Sequence, residues 1–193
     1  MTRALVLFAH PVPESFSAAL HARVVEVLRD RGWEVDDCDL YAEGFNPVLS
    51  CDERRGYHAL ETNCAPVQDY VDRVRAADAM VMVFPVWNFG YPAILKGFFD
   101  RVFLPGVSFR LEEGKVRPNL IRIRKLAAVT TYGGTRLRAL LAGDPPRHVV
   151  KRAVWHVTRP DTLRYLALYD MNHVSDAGRA RFLDRVGREM EVF

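Results

Sequence analysis

The chemistry of this 193-residue chain is narrowed first by what the sequence lacks. It has only three cysteines, Cys38, Cys51 and Cys64, an odd number with no C-x-x-C pair. Neither a disulfide framework nor a zinc site is indicated, and a reducing cytoplasm fits best. No apolar run approaches the length of a membrane span. The N-terminal run Ala4–Ala9 ends at His10-Pro11, too short for a signal peptide or a spanning helix. A soluble, cytoplasmic protein is expected, without membrane insertion but with peripheral docking left open. The six histidines form neither H-x-x-x-H nor H-E-x-x-H, so no metal site is expected. The dinucleotide fingerprint G-x-G-x-x-G, the phosphate loop G-x-x-x-x-G-K-[ST] and the nucleophile elbow G-x-S-x-G are all missing. Their absence argues against an ordinary Rossmann dehydrogenase, a P-loop ATPase and an α/β-hydrolase.

The net charge of +3 is too small to imply a nucleic-acid partner, but it is unevenly spread. Residues 1–100 hold 9 Lys/Arg against 15 Asp/Glu, whereas residues 101–165 hold 14 against 4. A locally basic third quarter attracts small anions, or is simply a solvated surface.

What is present is an alternation of short apolar runs and helical spacings. Ala4–Ala9 reads as a central parallel strand buried on both faces. A helix follows from about Ser17, with Leu20, Val24, Val27 and Leu28 on one face and Gly32 as its stop. Trp33–Leu40 alternates like an edge strand. Phe45–Leu49 is a loop, Asp52–Leu60 suggests a short helix, and Val67–Ala77 a longer one. The strand Ala79–Phe84 leads through an aromatic turn into a helix over Ala93–Val102. Leu104–Asn119 is a loop with a small hairpin at Glu112–Lys115. Lys125–Thr131 is a fourth strand, Thr135–Pro146 is ambiguous, Val149–Val157 is helical and Thr162–Tyr169 is a fifth strand. Ser175 caps a last helix with Leu183, Val186 and Met190 on one face. The alternation predicts one domain over residues 1–193, an α/β doubly wound five-stranded parallel sheet with helices on both faces; if the sheet is flavodoxin-like, its order is 2-1-3-4-5.

That order brings the ends of strands 1, 3 and 4 together, where such sheets bind ligands. The three loops there are His10–Ser17, Pro85–Pro92 and Thr130–Gly134. The first ends at a helix N-terminus, an anion site to which Ser15 and Ser17 add hydroxyls, although Ser17 also reads as a simple cap. His10 suits a ligand, a base or a structural partner. Trp87, Phe89 and Tyr91 suit stacking on a flat heterocycle, or filling of core or interface. Gly133-Gly134 permits close backbone approach, or is just a turn.

Three blocks carry a resemblance. They are Ala9-His10-Pro11 with Ser15-Phe16-Ser17, then the run from Phe84-Pro85-Val86-Trp87-Asn88-Phe89-Gly90-Tyr91-Pro92 to Phe103, then Thr130-Thr131-Tyr132-Gly133-Gly134. In sequence and in order they resemble the NAD(P)H:quinone oxidoreductases of the flavodoxin-like fold. That family includes DT-diaphorase and ancillary subunits of bacterial potassium efflux systems. The resemblance is good over residues 1–135 and thins beyond.

It implies that Ser15, Ser17 and the Phe16 amide hold a flavin phosphate, with His10 beside it. Pro85, Val86, Trp87, Asn88 and Phe89 would flank the isoalloxazine, and Thr130, Thr131, Tyr132, Gly133 and Gly134 its other edge. It implies FMN, with FAD as the alternative, NAD(P)H as donor, a quinone-like acceptor, ping-pong kinetics and a homodimer. A flavin-binding regulatory subunit of a membrane transporter and a one-electron flavodoxin-type carrier are the alternatives. Departures stand at Asn88, where the family has an aromatic, and at Tyr132, where it has glycine. Thr135–Asp144 lacks the tyrosine and histidine found in that region of DT-diaphorase. Arg136 and Arg138 suit either a nucleotide phosphate or solvent.

Overall fold

The computed structural model describes residues 1–193. Its centre is a five-stranded sheet of β1 (Arg3–Phe8), β2 (Glu34–Asp39), β3 (Ala79–Val86), β6 (Lys125–Tyr132) and β7 (Thr162–Leu168). A two-stranded hairpin, β4 (Phe109–Glu112) with β5 (Lys115–Pro118), stands apart. The large sheet runs in the order β2-β1-β3-β6-β7 with every pair parallel, which is the expected 2-1-3-4-5 arrangement.

Helices cover both faces because the continuous apolar strands still alternate. Leu5 and Leu7 of β1, Met80, Met82 and Phe84 of β3, and Leu126 and Ala128 of β6 enter one core. There they meet Val71 and Val74 of α3 (Gln68–Ala76) and Leu95, Phe98 and Val102 of α4 (Ala93–Val102). The intervening residues Ala4, Val6, Phe8, Val81, Val83, Ala127 and Val129 enter the other core. Their partners are Leu20, Val24, Val27 and Leu28 of α1 (Phe16–Asp30) and Phe182, Val186 and Met190 of α8 (Asp176–Glu191). Each such fully buried Leu or Val contributes about 2 kcal/mol.

Several boundaries differ from the sequence reading. Strand β3 runs on through Pro85 and Val86, two residues beyond the Ala79–Phe84 strand the sequence predicts. Ala9 N–H donates to Val83 O, 3.1 Å, and β1 ends there. Pro85 faces the same side two residues on, where no strand remains to miss its absent N–H. The N-cap of α1 is Ser15, not Ser17, with its Oγ accepting from Ala18 N–H. The helix expected over Asp52–Leu60 is only α2 (Cys51–Arg55), closed at Gly56. The ambiguous stretch forms α5 (Arg136–Leu141) and α6 (Pro145–His148), and Val149–Val154 is π-helical before α7 (Trp155–Thr158). Leu183 is only half buried.

The loop after β2 is fastened to α4. A Cβ on Gly97 would lie 2.3 Å from Pro47 O, so only glycine allows this approach. Arg101 closes it, pairing with Glu53 at 2.5 Å and donating to Asn46 O. No helix is long and apolar enough to cross a membrane.

Candidate active site

The register sets the site. Strand β1 stops at Phe8 opposite Val83, while β3 and β6 continue together to Val86 and Tyr132. The loop after β1 therefore lies beside the last turn of β3. His10 and Trp87 meet edge to face with ring centroids 5.6 Å apart. Val12 N–H donates to His10 Nδ1, 3.0 Å, which leaves Nε2 to carry the proton of the neutral ring. Burial holds the His10 imidazole below its ordinary value of 6.5, so the neutral form prevails at pH 7.

Trp87–Gly90 is a closed hairpin turn. Trp87 N–H donates to Gly90 O, 3.1 Å, and Gly90 N–H to Trp87 O, 2.8 Å. Asn88 and Phe89 both have positive φ, 49° and 57°. Two such residues between paired neighbours define a type I′ turn, which favours Asn at its first centre and Gly at its second. Asn88 therefore has a backbone reason to replace an aromatic. Phe89 in the left-handed region is strained by about 1 kcal/mol or more. Trp87 and Phe89 each remain 41% exposed, whereas Tyr91 turns inward onto Phe84 and donates from its hydroxyl to Pro146 O, 2.7 Å.

Below the third loop lies a partly buried polar network. Tyr132 is 1% exposed, and its hydroxyl sits 2.6 Å from both Asp144 Oδ1 and Tyr165 Oη. Arg147 donates to Asp144 Oδ2, 2.8 Å, and to Tyr169 Oη, 2.6 Å, with its guanidinium 4.4 Å from the centre of the Tyr165 ring. Burial pushes both the Tyr132 and Tyr165 phenols up, so they stay protonated. The Tyr132 hydroxyl donates a hydrogen bond to Asp144, and Tyr165 donates to the Tyr132 oxygen. Thr130 and Thr131 are also buried, and Thr130 Oγ1 has no partner at all. The side chains of Thr130, Thr131 and Tyr132 thus face the core, and this loop reaches a ligand only through its backbone.

The structure brings His10, Trp87, Asn88 and Phe89 together with the amide-rich ends of the other two loops. The amides of Phe16, Ser17, Asn88, Phe89, Gly133 and Gly134 donate no hydrogen bond within the protein. Ser17 is buried and its hydroxyl is free of the cap. Unbonded amides at the start of the 15-residue α1 suit an anion. A partly exposed aromatic wall between two sets of free amides suits a flat, hydrogen-bonding heterocycle that carries a phosphate. Those are the parts of a flavin mononucleotide, so the residues fit the group. Asp144 and Asn172 are absent from the sequence reading. Asn172 Nδ2 lies 3.6 Å from where a Cβ of Gly133 would stand, and Asp170 N–H donates to Gly134 O, 2.9 Å. Neither residue has a local motif: Asn172 is brought by the pairing of β7 with β6, and Asp144 by the turn after α5, where its N–H donates to Ala139 O, 2.8 Å.

A family model described as the flavodoxin-like fold matches residues 2–189. An uncharacterised NAD(P)H oxidoreductase of Haemophilus influenzae is 33% identical over 97% of this chain and 94% of its own length. The chain belongs to the flavodoxin-like NAD(P)H:quinone oxidoreductase family. Rat NAD(P)H dehydrogenase [quinone] 1 is 27% identical over 98% of this chain and 77% of its own. Among solved structures, an NAD(P)H:quinone oxidoreductase from Methanothermobacter marburgensis superposes with a TM-score of 0.84 at 27% identity, covering 98% of each chain. Members of this family are oxidoreductases, and this chain is one.

Proposed function

We propose that this oxidoreductase binds FMN at the ends of β1, β3 and β6 and passes hydride from NAD(P)H to quinones or related two-electron acceptors. The observation that carries the proposal is the convergence of unbonded amides at Phe16–Ser17 and Gly133–Gly134 around the exposed rings of Trp87 and Phe89. When bound, the flavin would supply the two-electron relay between donor and acceptor.

The protein's part is binding, orientation and electrostatics. The Phe16 and Ser17 amides and the Ser17 hydroxyl hold the phosphate, with Ser15 locking the helix that presents them. Pro85 and Val86 form a floor at the end of β3, Trp87 and Phe89 a wall, and Asn88 keeps the turn closed. The backbone from Thr130 to Gly134 lines the other edge, and its amides stabilise negative charge that develops there. Neutral His10 offers Nε2–H at the mouth. One open face beside Trp87 and Phe89 would serve donor and acceptor in turn, and ping-pong kinetics are the expectation. Overall, NAD(P)H loses two electrons as hydride, and quinone gains that hydride plus one solvent proton to become hydroquinone. The family's homodimer, with flavin at the interface, is the expected assembly.

The test is the cofactor released from the purified protein on denaturation. A yellow compound with the mass of FMN, one per chain, supports the reading. The mass of FAD corrects the cofactor, and failure to bind either flavin on reconstitution overturns the site.

A further inference from the structure

We propose that the free edge of β7 is a docking site for an extended, acidic segment of a partner protein, which joins the sheet as a further strand. The inference is independent of the hydride-transfer reading above. Strand β7 pairs with β6 on one side only and ends the sheet. Thr162 N–H donates to Arg124 O, 3.2 Å, so Thr162, Arg164, Leu166 and Leu168 turn their amides towards β6. The amides and carbonyls of Leu163, Tyr165 and Ala167 therefore point outward, where no strand receives them. One side chain reaches this edge, Arg164, with Nη1 at 3.5 Å from Leu163 O.

The two edges of the sheet are guarded differently. Strand β2, at the opposite edge, carries Glu34, Asp36, Asp37 and Asp39 among its 6 residues. Charges crowded on an edge keep other strands off it. Strand β7 has a single charge in 7 residues, Arg164, and Glu189 of α8 neutralises it at 3.2 Å. It has no proline, and its register with β6 runs without a bulge. An apolar, regular edge of that length is a template for another strand.

The helices beside β7 set the charge of the occupant. On one face of the sheet Arg147 reaches β7, its guanidinium 4.4 Å from the centre of the Tyr165 ring, and exposed Lys151 follows one helical turn later. No carboxylate occurs between Pro145 and Pro160. On the other face Glu189 reaches β7, and exposed Arg185 and Arg188 share a surface cleft with it. Lys151, Arg185 and Arg188 make no ion pair, whereas Arg124, Arg147 and Arg164 do. Successive side chains of a strand laid along β7 point to one helix and then the other, so acidic side chains on either face meet a free cation. A second copy joined through β7 sets basic helix against basic helix under either twofold. Antiparallel strands bring each helix to its own counterpart, and parallel strands bring it to the other.

The test titrates the whole chain into a rhodamine-labelled, end-capped peptide of the length of β7, Glu-Val-Glu-Thr-Glu-Val-Glu. One control has lysine in place of glutamate. The other is the glutamate peptide N-methylated at its adjacent central residues, which keeps the charge and blocks both edges of the strand. Fluorescence anisotropy is expected to show the glutamate peptide binding roughly tenfold more tightly than either control, and less tightly as salt is added. Hydrogen exchange followed by NMR is expected to slow at Tyr165 and Ala167 and to stay unchanged in β2. The charge reversal Arg185→Glu/Arg188→Glu, on an exposed face, is expected to weaken the peptide roughly tenfold at an unchanged thermal midpoint. Ala167→Pro removes one outward N–H and no bond to β6, and is expected to weaken it likewise. If that variant does not fold, the charge reversal and the exchange data decide. Absence of binding at roughly millimolar peptide overturns the proposal. So does equal binding of the N-methylated peptide, which reduces the surface to a charged face, and so does slowed exchange elsewhere than at Tyr165 and Ala167. A wild-type chain whose oligomeric state falls in Ala167→Pro makes the edge an interface between copies and also overturns it.

Discussion

The two sides of the same strand ends are built in opposite ways. Beneath β6, buried Tyr132 and Asp144 and half-buried Tyr165, Tyr169 and Arg147 satisfy one another in one network. Above it, six backbone amides have no partner, two aromatic rings stand open and Phe89 is held in a left-handed conformation. Polar groups left unpaired at one place, in a chain that pairs them so thoroughly a few ångströms away, mark the side that meets a ligand. The lower side is scaffold and the upper side is site. Substitutions below should cost stability first, and substitutions above should cost binding first.

The largest expected effect is below. Asp144→Ala leaves the half-buried Arg147 guanidinium only Tyr169 and the buried Tyr132 hydroxyl only Tyr165, and should cost about 2 kcal/mol, on the order of 6 °C in Tm. Thermal unfolding followed by circular dichroism checks it, and a loss within error would remove the network from the scaffold. Next is Gly97→Ala on α4. A Cβ 2.3 Å from Pro47 O must displace the loop after β2, at about 2 kcal/mol by urea midpoint.

The sharpest form of the comparison uses two serines two residues apart. Ser15→Ala removes the cap of α1 and should lower stability by about 1 kcal/mol. Ser17→Ala removes no cap and should leave the apo-protein's midpoint unchanged while weakening FMN binding several-fold by fluorescence titration. If both variants lose stability equally, Ser17 belongs to the scaffold. Phe89→Gly inverts the usual direction. It should stabilise the apo-protein by about 1 kcal/mol by relieving the positive φ, and weaken flavin binding by removing half of the aromatic wall.

The smallest expected effect is on pH. The folded His10 titrates below its ordinary value of 6.5 because of burial. The unfolded chain therefore takes up a proton that the folded loop resists. The stability this loop holds above about pH 6.5 is lost as pH falls from there toward the lower folded value. Amide exchange at Val12, whose N–H is given to Nδ1, should accelerate across that window relative to the core amides.

The arrangement of the strands was legible in the sequence because each central strand is an unbroken apolar run, and the loops of the site followed from their order. What escaped depended on pairing or on backbone geometry. Pro85 reads as a terminator unless one knows that β1 ends beside it. Asn88 and Phe89 look like a departure from an aromatic pattern until their φ angles show a type I′ turn. Tyr132 stands in a motif loop, yet its ring belongs to the core, because strand alternation sends it to the same face as Leu126 and Ala128. Asp144 and Asn172 reach the neighbourhood of the site from segments with no motif of their own. The short helices α5 and α6 lie in a stretch of leucine, arginine, glycine and proline whose local preferences conflict.

Anaerobic stopped-flow mixing of the FMN-loaded protein with NADPH, and separately with NADH, tests the account's central claim most directly. The account predicts rapid bleaching of the flavin absorbance band with at least one donor, and its return when a quinone follows. A band that persists with both nucleotides would contradict it.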